Sequence, residues 1–260
     1  MNITAKIIKF ELRDVFRSRW VIIYGFLLLV ITELLFRFSG DSSKTVISTL
    51  NIILLLNPLV SLIFGTAYMY NSREFIELLL SQPIKRRELF WGLYLGLTIP
   101  LVLVFLIGTG LPLTIHNPEN FAMLFTMLAS GGLLTMMFTG TAICIASYFE
   151  DKAMGLGAAI LLWFFFAFIY DGLILIFTIT FQDFPLETPL IAISFINPID
   201  LARILVMLKL DTAALMGYTG AVFQKFFGQT TGIILSFSML IIWIIIPTAL
   251  GYNIFRKKNF

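Results

Sequence analysis

Few side chains in this sequence can do chemistry, and most of them sit in apolar surroundings. Asp171 lies deep in the run 163–172, WFFFAFIYDG. An ionisable group at such depth costs about 3 kcal/mol on insertion scales, and it is either functional or paired. Two roles stay open for it. It is a transport or gating group, or it makes a packing bond to a Thr or Asn of another span or to a second copy of the chain. Met123, Met127, Met137 and Cys144 fall on an arc of about 100° at helical spacing. Soft sulfur ligands favour Cu(I), so the arc suits a metal path. Methionine is equally a flexible packer, and no certain metal site follows. His116 is the only histidine, which rules out haem held by two imidazoles of one chain. Cys144 is the only cysteine, so no internal disulfide forms. No Ser–His or paired-carboxylate arrangement stands at depth, so no catalytic residue is assigned and no enzyme is expected. A phosphate-binding loop needs G-x-x-x-x-G-K-S/T. The nearest string, Gly40 to Thr45, lacks the second glycine. ATP and Mg, if used, belong to another subunit, and this chain is expected to bind no cofactor.

The elements that must position these residues are membrane helices. Hydrophobic residues make up 59% of the chain and charged residues 13%, and the mean hydropathy is +0.95. A soluble domain carries nearer 25% charge. Six stretches, 20–38, 46–70, 89–113, 121–148, 156–181 and 230–255, reach the roughly 20 residues a spanning helix needs. Strand alternation is absent, so the fold class is an all-α integral membrane protein, a single domain over 1–260. A charged amphipathic stretch precedes the first span and no small-residue cleavage motif follows it, so it is not a cleaved signal peptide. Thirteen of the eighteen Lys and Arg residues fall on one side of this layout, among them Lys85, Arg86, Arg87 and Arg256 to Lys258. The positive-inside rule places both termini in the cytoplasm. That asymmetry accounts for the net charge of +3 without a nucleic-acid partner.

Two segments on the basic side carry helical patterns. Residues 6–20 read as an amphipathic helix lying in the membrane interface, with Ile3, Ile7 and Phe10 on its buried face. A plain topogenic charge cluster is the simpler alternative. The loop 71–88 starts a short helix at Ser72, carries Phe75, Ile76 and Leu78 to Leu80, and stops at Pro83. With Glu74 and Glu77 facing water, that helix fits a groove in a cytoplasmic partner, or simply connects two spans. Within the spans, Glu33 and Arg37 are one turn apart and pair. Asn57-Pro58, Pro100 and Pro247 mark positions where helices can kink.

On the opposite side, 182–229 is too apolar for an ordinary loop and too interrupted for a span. Its core, 197–228, opens with Asn197 as helix cap and Pro198 at the first helical position. Asp200 pairs with Arg203 one turn on, and Leu201, Ile204, Leu205 and Leu208 form the buried stripe. Asp211 or Thr212 starts a second short helix, and Gly217-Tyr218-Thr219-Gly220 reverses the chain. Phe223, Phe226 and Phe227 return to the membrane. The segment makes an external gate or a docking ledge.

The order Glu74, Leu78 to Leu80, Pro83, Arg86 and Arg87, followed by Gly92 and Gly96, resembles the coupling-helix loop of type-two ABC exporter permeases. Leu93 stands where many members carry Lys. The resemblance implies six spans with an N-terminal interfacial helix, a cytoplasmic coupling helix and a periplasmic re-entrant helical segment. It implies that Glu74, Phe75, Glu77, Leu80, Pro83, Arg86 and Arg87 meet an ATPase. The stretch Asn197 to Asp200, Arg203, Leu210-Asp211, Ala214 to Phe223 and Phe226 to Gly228, with Trp163, Tyr170 and Asp171 upstream, is similar to the Nos branch of that family, which matures nitrous oxide reductase. That likeness implies an inner-membrane homodimer in contact with membrane lipid, with a NosF-like ATPase and a periplasmic β-helical NosD-like protein as partners. A copper or sulfur species, or a conformational signal, would be passed outward. Asp171, Asn57, Met123, Met127, Met137 and Cys144 are the transport or gating candidates. Asn197, Asp200, Arg203, Asp211, Met216, Gly217, Tyr218, Gly220 and Phe223 are the docking candidates. An exporter of a lipid, drug or peptide is the alternative within the family, and a passive membrane scaffold the alternative outside it.

Overall fold

The computed structural model describes residues 3–38, 42–116, 121–184, 186–210 and 217–258. Eleven α-helices are present among them: α1 (Ile3–Arg17), α2 (Arg19–Phe38), α3 (Ser42–Asn71), α4 (Arg73–Leu80), α5 (Arg86–His116), α6 (Phe121–Tyr148), α7 (Lys152–Phe164), α8 (Tyr170–Thr180), α9 (Glu187–Ser194), α10 (Pro198–Leu210) and α11 (Gly217–Lys257). A π turn, Phe165–Ile169, joins α7 to α8. Six helices are long and apolar enough to cross a membrane: Arg19–Phe38, Lys44–Asn71, Arg86–His116, Phe121–Tyr148, Lys152–Thr180 and Phe227–Lys257. They are the six stretches expected from hydropathy, because an apolar run long enough for the bilayer satisfies its backbone only as a helix.

Spans two, three and four (α3, α5, α6) form the centre. About half of each apolar stretch is buried there, against 11% in span five. Close packing in the centre depends on small residues. A Cβ on Gly131 would sit 2.3 Å from Phe105, and one on Gly108 would sit 2.8 Å from the Gly25 carbonyl oxygen of α2. Pro58, Pro100 and Pro247 lie inside helices that continue through them. Span five, which contains no proline, has an irregular π turn.

Helix α1, the 71–88 loop, the turn between α6 and α7 and the end of α11 gather at one face. Phe10 stacks on Phe75 of α4 at 4.9 Å, Lys152 Nζ donates to Asn71 Oδ1 at 2.8 Å, and Arg86 reaches the end of α11. This is the basic face. The buried side of α1 differs from the expected one. Ile7, Glu11 and Val15 are buried, whereas Ile3 and Phe10 are exposed. The cause lies in α5, where Gly92 and Gly96 leave a groove one turn long: a Cβ there would meet Ile7 at 2.6 Å and Glu11 at 2.4 Å.

At the other face, α9 and α10 form a bent pair turning by 110° at a short break. Gly217 to Gly220 begin α11 and do not form the expected corner. The break comes at Gly228, whose φ of 68° is a left-handed value that glycine takes without steric penalty.

Candidate functional site

At the basic face, α4 is anchored by one buried side chain, Ile76. Phe75 and Leu80 are half-buried, and Glu74, Glu77, Leu78 and Pro83 face outward. Arg73 pairs with Glu77 at 3.2 Å across one helical turn. A cleft of about 390 Å³ separates α4 from α1, with Lys6, Phe10, Phe75 and Pro83 among its walls. Two of the expected coupling residues, Arg86 and Arg87, behave differently. Arg87 is exposed. The guanidinium of Arg86 turns inward and donates to the carbonyl oxygens of Arg256 and Lys258 at 2.9 and 2.6 Å, closing the C-terminal end of α11.

Behind this surface lies a cluster that sequence patterning did not single out. Glu11 is buried on α1, and its Oε1 has no hydrogen-bond partner among the described residues. Tyr68 of α3 places its hydroxyl on Glu11 Oε2 and, at 2.8 Å, on Asp14 Oδ2. A phenol carries one proton and can donate to only one of two carboxylates. A proton on Glu11 satisfies both contacts, with Glu11 donating to Tyr68 and Tyr68 to Asp14. The environment favours that state: burial pushes the Glu11 carboxyl up, the Tyr68 contact opposes it, and the Asp14 charge adds to the rise. The available sequence signal was the Gly92–Gly96 spacing, which marks where another helix comes close.

Helix α3 carries this surface into the membrane and against span five. The Tyr70 hydroxyl donates to the Phe149 carbonyl at 3.0 Å, and its ring fills the space a side chain at Gly155 would take. Farther along α3, Trp163 Nε1 donates to the Leu55 carbonyl at 3.0 Å. The π turn follows, with Tyr170 N donating to the Phe165 carbonyl five residues back. Such turns leave the backbone ladder irregular and are frequent at functional sites. Asn197 uses the irregularity. Its Nδ2 donates to the Phe166 carbonyl at 3.0 Å, and its Oδ1 accepts from Ile199 N at 2.9 Å, capping α10. Tyr170 and Trp243 donate to the Ile193 and Phe195 carbonyls at the bend between α9 and α10.

Asp171 completes the junction. Its Oδ2 accepts from both Nη atoms of Arg203 at 3.3 Å, and Arg203 also donates to Asp200 Oδ1 at 2.8 Å. Within the chain its partner is thus an arginine of the external segment, and not a Thr or Asn of another span. One guanidinium between two carboxylates leaves a formal charge of −1. Asp200 is 4% exposed, Asp171 40% and Arg203 32%, and the group opens on a cavity of about 240 Å³ whose other walls are Ile174, Leu175, Thr178 and Ile179.

Comparison with known proteins decides the family. A model of the ABC-2 family of transporter proteins matches residues 37–260. The chain belongs to the ABC-2 transporter family. It is 26% identical, over 99% of both chains, to the probable ABC transporter permease protein NosY of Pseudomonas aeruginosa (strain PAO1). It is 24% identical, again over 99% of both, to the probable ABC transporter permease protein NosY of Stutzerimonas stutzeri. The protein is a NosY-like permease subunit, and such a subunit implies a partner ATPase.

Within the permease the remaining candidates are dispersed. Asn57 is fully buried, accepting from Tyr24 of α2 and donating to the Gly131 carbonyl of α6 at 3.1 Å. It cross-links three helices. Met123, Met127 and Met137 are buried in the main core, and Cys144 is half-buried with Gly251 of α11 packed on its backbone. No group of three or more His, Cys, Asp or Glu suited to a metal occurs among the described residues. Glu33 holds Arg37 at 2.8 Å, as expected, and also His116 at 2.9 Å. Asp211 and Met216 lie outside the described residues. Gly217, Tyr218, Gly220 and Phe223 fall in the first turns of α11.

Proposed function

We propose that this permease forms an inner-membrane homodimer, termini in the cytoplasm, that couples ATP hydrolysis by a NosF-like ATPase to the copper sites of nitrous oxide reductase through a periplasmic NosD-like protein. ATP and Mg are held by the ATPase, and this chain contributes no nucleotide site. The observation that carries the reading is the junction of Asp171, Arg203, Asp200 and Asn197. It fastens the external segment to span five at its π turn. The ATPase docks on α4 through Glu74, Phe75, Glu77 and Leu80. Its closure displaces α3, which adjoins α4 through Ser72 alone. Span five follows through Trp163 and Tyr70, and α10 follows span five.

The output is a conformational signal, or a copper or sulfur species released along with it. Burial of Met123, Met127 and Met137 favours the signal, because packed thioethers offer no open path for an ion. The test is a tagged pull-down from detergent-solubilised native membranes, with bound proteins identified by mass. Recovery of an ATPase and a periplasmic β-helical protein is the expected result. An ATPase alone would turn the reading toward a general exporter of lipid, drug or peptide, and neither would contradict it.

A further inference from the structure

A groove of about 470 Å³ runs between α2 and α3, walled by Trp20, Ile23, Leu27, Leu56, Val60 and Ile63. No charged side chain lines it. Its one polar neighbour, the Tyr24 hydroxyl, is already committed to Asn57. Both walls are membrane spans, so the groove lies in the hydrocarbon region. Along α3 it extends from Leu56 to Ala67, about 16 Å at 1.5 Å per residue. That matches the roughly 15 Å of hydrocarbon in one leaflet.

The end of the groove at Trp20 meets the basic face. Trp20 is 73% exposed there, at the depth where tryptophan marks the headgroup level. Arg17 ends α1 and Arg19 begins α2, and both are exposed. Neither has a carboxylate within ion-pair distance among the described residues. An apolar slot one leaflet long, whose Trp20 end stands one residue from Arg19 and three from Arg17, both exposed and without a carboxylate partner among the described residues, has the chemistry of one particular ligand. We propose that it holds an acyl chain of an anionic phospholipid from the leaflet at the basic face, with the lipid phosphate on Arg17 and Arg19. The bound lipid fixes the hinge between α1 and the first span, next to the Glu11 cluster.

The site is read from the groove and its charges alone, so it stands or falls apart from the partners proposed above. The full chain is reconstituted in nanodiscs of equal phosphatidylglycerol and phosphatidylcholine, and retained lipid is counted by native mass spectrometry. Phosphatidylglycerol should be retained in preference, with each arginine contributing about fivefold. Arg17→Gln with Arg19→Gln, at exposed positions that leave the core intact, should bring the ratio to about one. Val60→Trp should remove the retained lipid of either kind. Equal retention by the unmodified protein overturns the proposal, as does selectivity unchanged by the arginine substitutions. Disulfide linkage of two copies through Ile63→Cys in the membrane would also overturn it, because a second copy would then fill the groove.

Discussion

Two small ionic groups stand out at the residue scale. At the outer junction, Arg203 compensates Asp171 and Asp200 together. Arg203→Ala leaves two carboxylates facing each other in a half-buried site. It should destabilise the protein by about 3 kcal/mol, the scale for breaking a buried pair. Asp171→Asn leaves Arg203 still paired with Asp200 and should cost less; thermal melting in detergent checks the order. At the basic face, Glu11 has a folded-state pKa raised mainly by burial. A group raised in the folded state contributes stability below its ordinary unfolded value, and that contribution is lost as pH rises through the folded value. The melting temperature should therefore fall as pH rises from the carboxylate range, and Glu11→Gln should flatten that fall. At neutral pH the same substitution should stabilise the protein, because the amide stays neutral in the buried site without taking up a proton. A pH slope identical in Glu11→Gln would mean that Glu11 is not the titrating group. Asp171 was legible in the sequence because a carboxylate in an aromatic run stands out. Its partner was not, because Arg203 lies 32 residues away across a chain reversal. Glu11 was hidden for the opposite reason: on an interfacial helix a glutamate reads as part of the wet face, and only the notch in α5 turns it inward.

Helix seats and one irregular turn decide the behaviour of the elements. Helix α1 rests in the notch at Gly92 and Gly96, where a Cβ on Gly96 would come within 2.4 Å of Glu11. Gly96→Val should lift α1 and cost about 1–3 kcal/mol by overpacking. Faster proteolysis of the N-terminal helix, with the spans intact, is the readout. Asn197 caps α10 and also holds the π turn. Asn197→Ala should loosen both, at about 1–2 kcal/mol for the cap, and amide exchange should rise in α10 and around Phe166 together. A rise in α10 alone would show that the two are not fastened. The six spans were readable because apolar length is a composition property. The π turn and the bend of α9 against α10 were not, since ladder irregularity has no residue signature and span five contains no proline. Pro58, Pro100 and Pro247 were legible as helix-interior prolines, and the helices continue through all three.

Over the whole molecule, a chain of contacts runs from one membrane face to the other. Helix α4 adjoins α3, α3 is hydrogen-bonded to span five at Lys152 and at Trp163, and span five is bolted to α10. The family was legible in the sequence because the coupling loop and the external segment each carry a local motif. The path between them was not, because it depends on hydrogen bonds such as Trp163 to Leu55, 108 residues apart. The most direct test is a distance between spin labels at Ile196→Cys, in the bend before α10, and Ile115→Cys, at the end of α5, in a Cys144→Ala background. Both positions are exposed. The distance is measured in the complex with its ATPase, without nucleotide and trapped with ADP and vanadate. The account predicts that trapping shifts the distance, and that Arg203→Ala abolishes the shift while ATPase binding persists. The same shift without Arg203, or no shift at all, would contradict it.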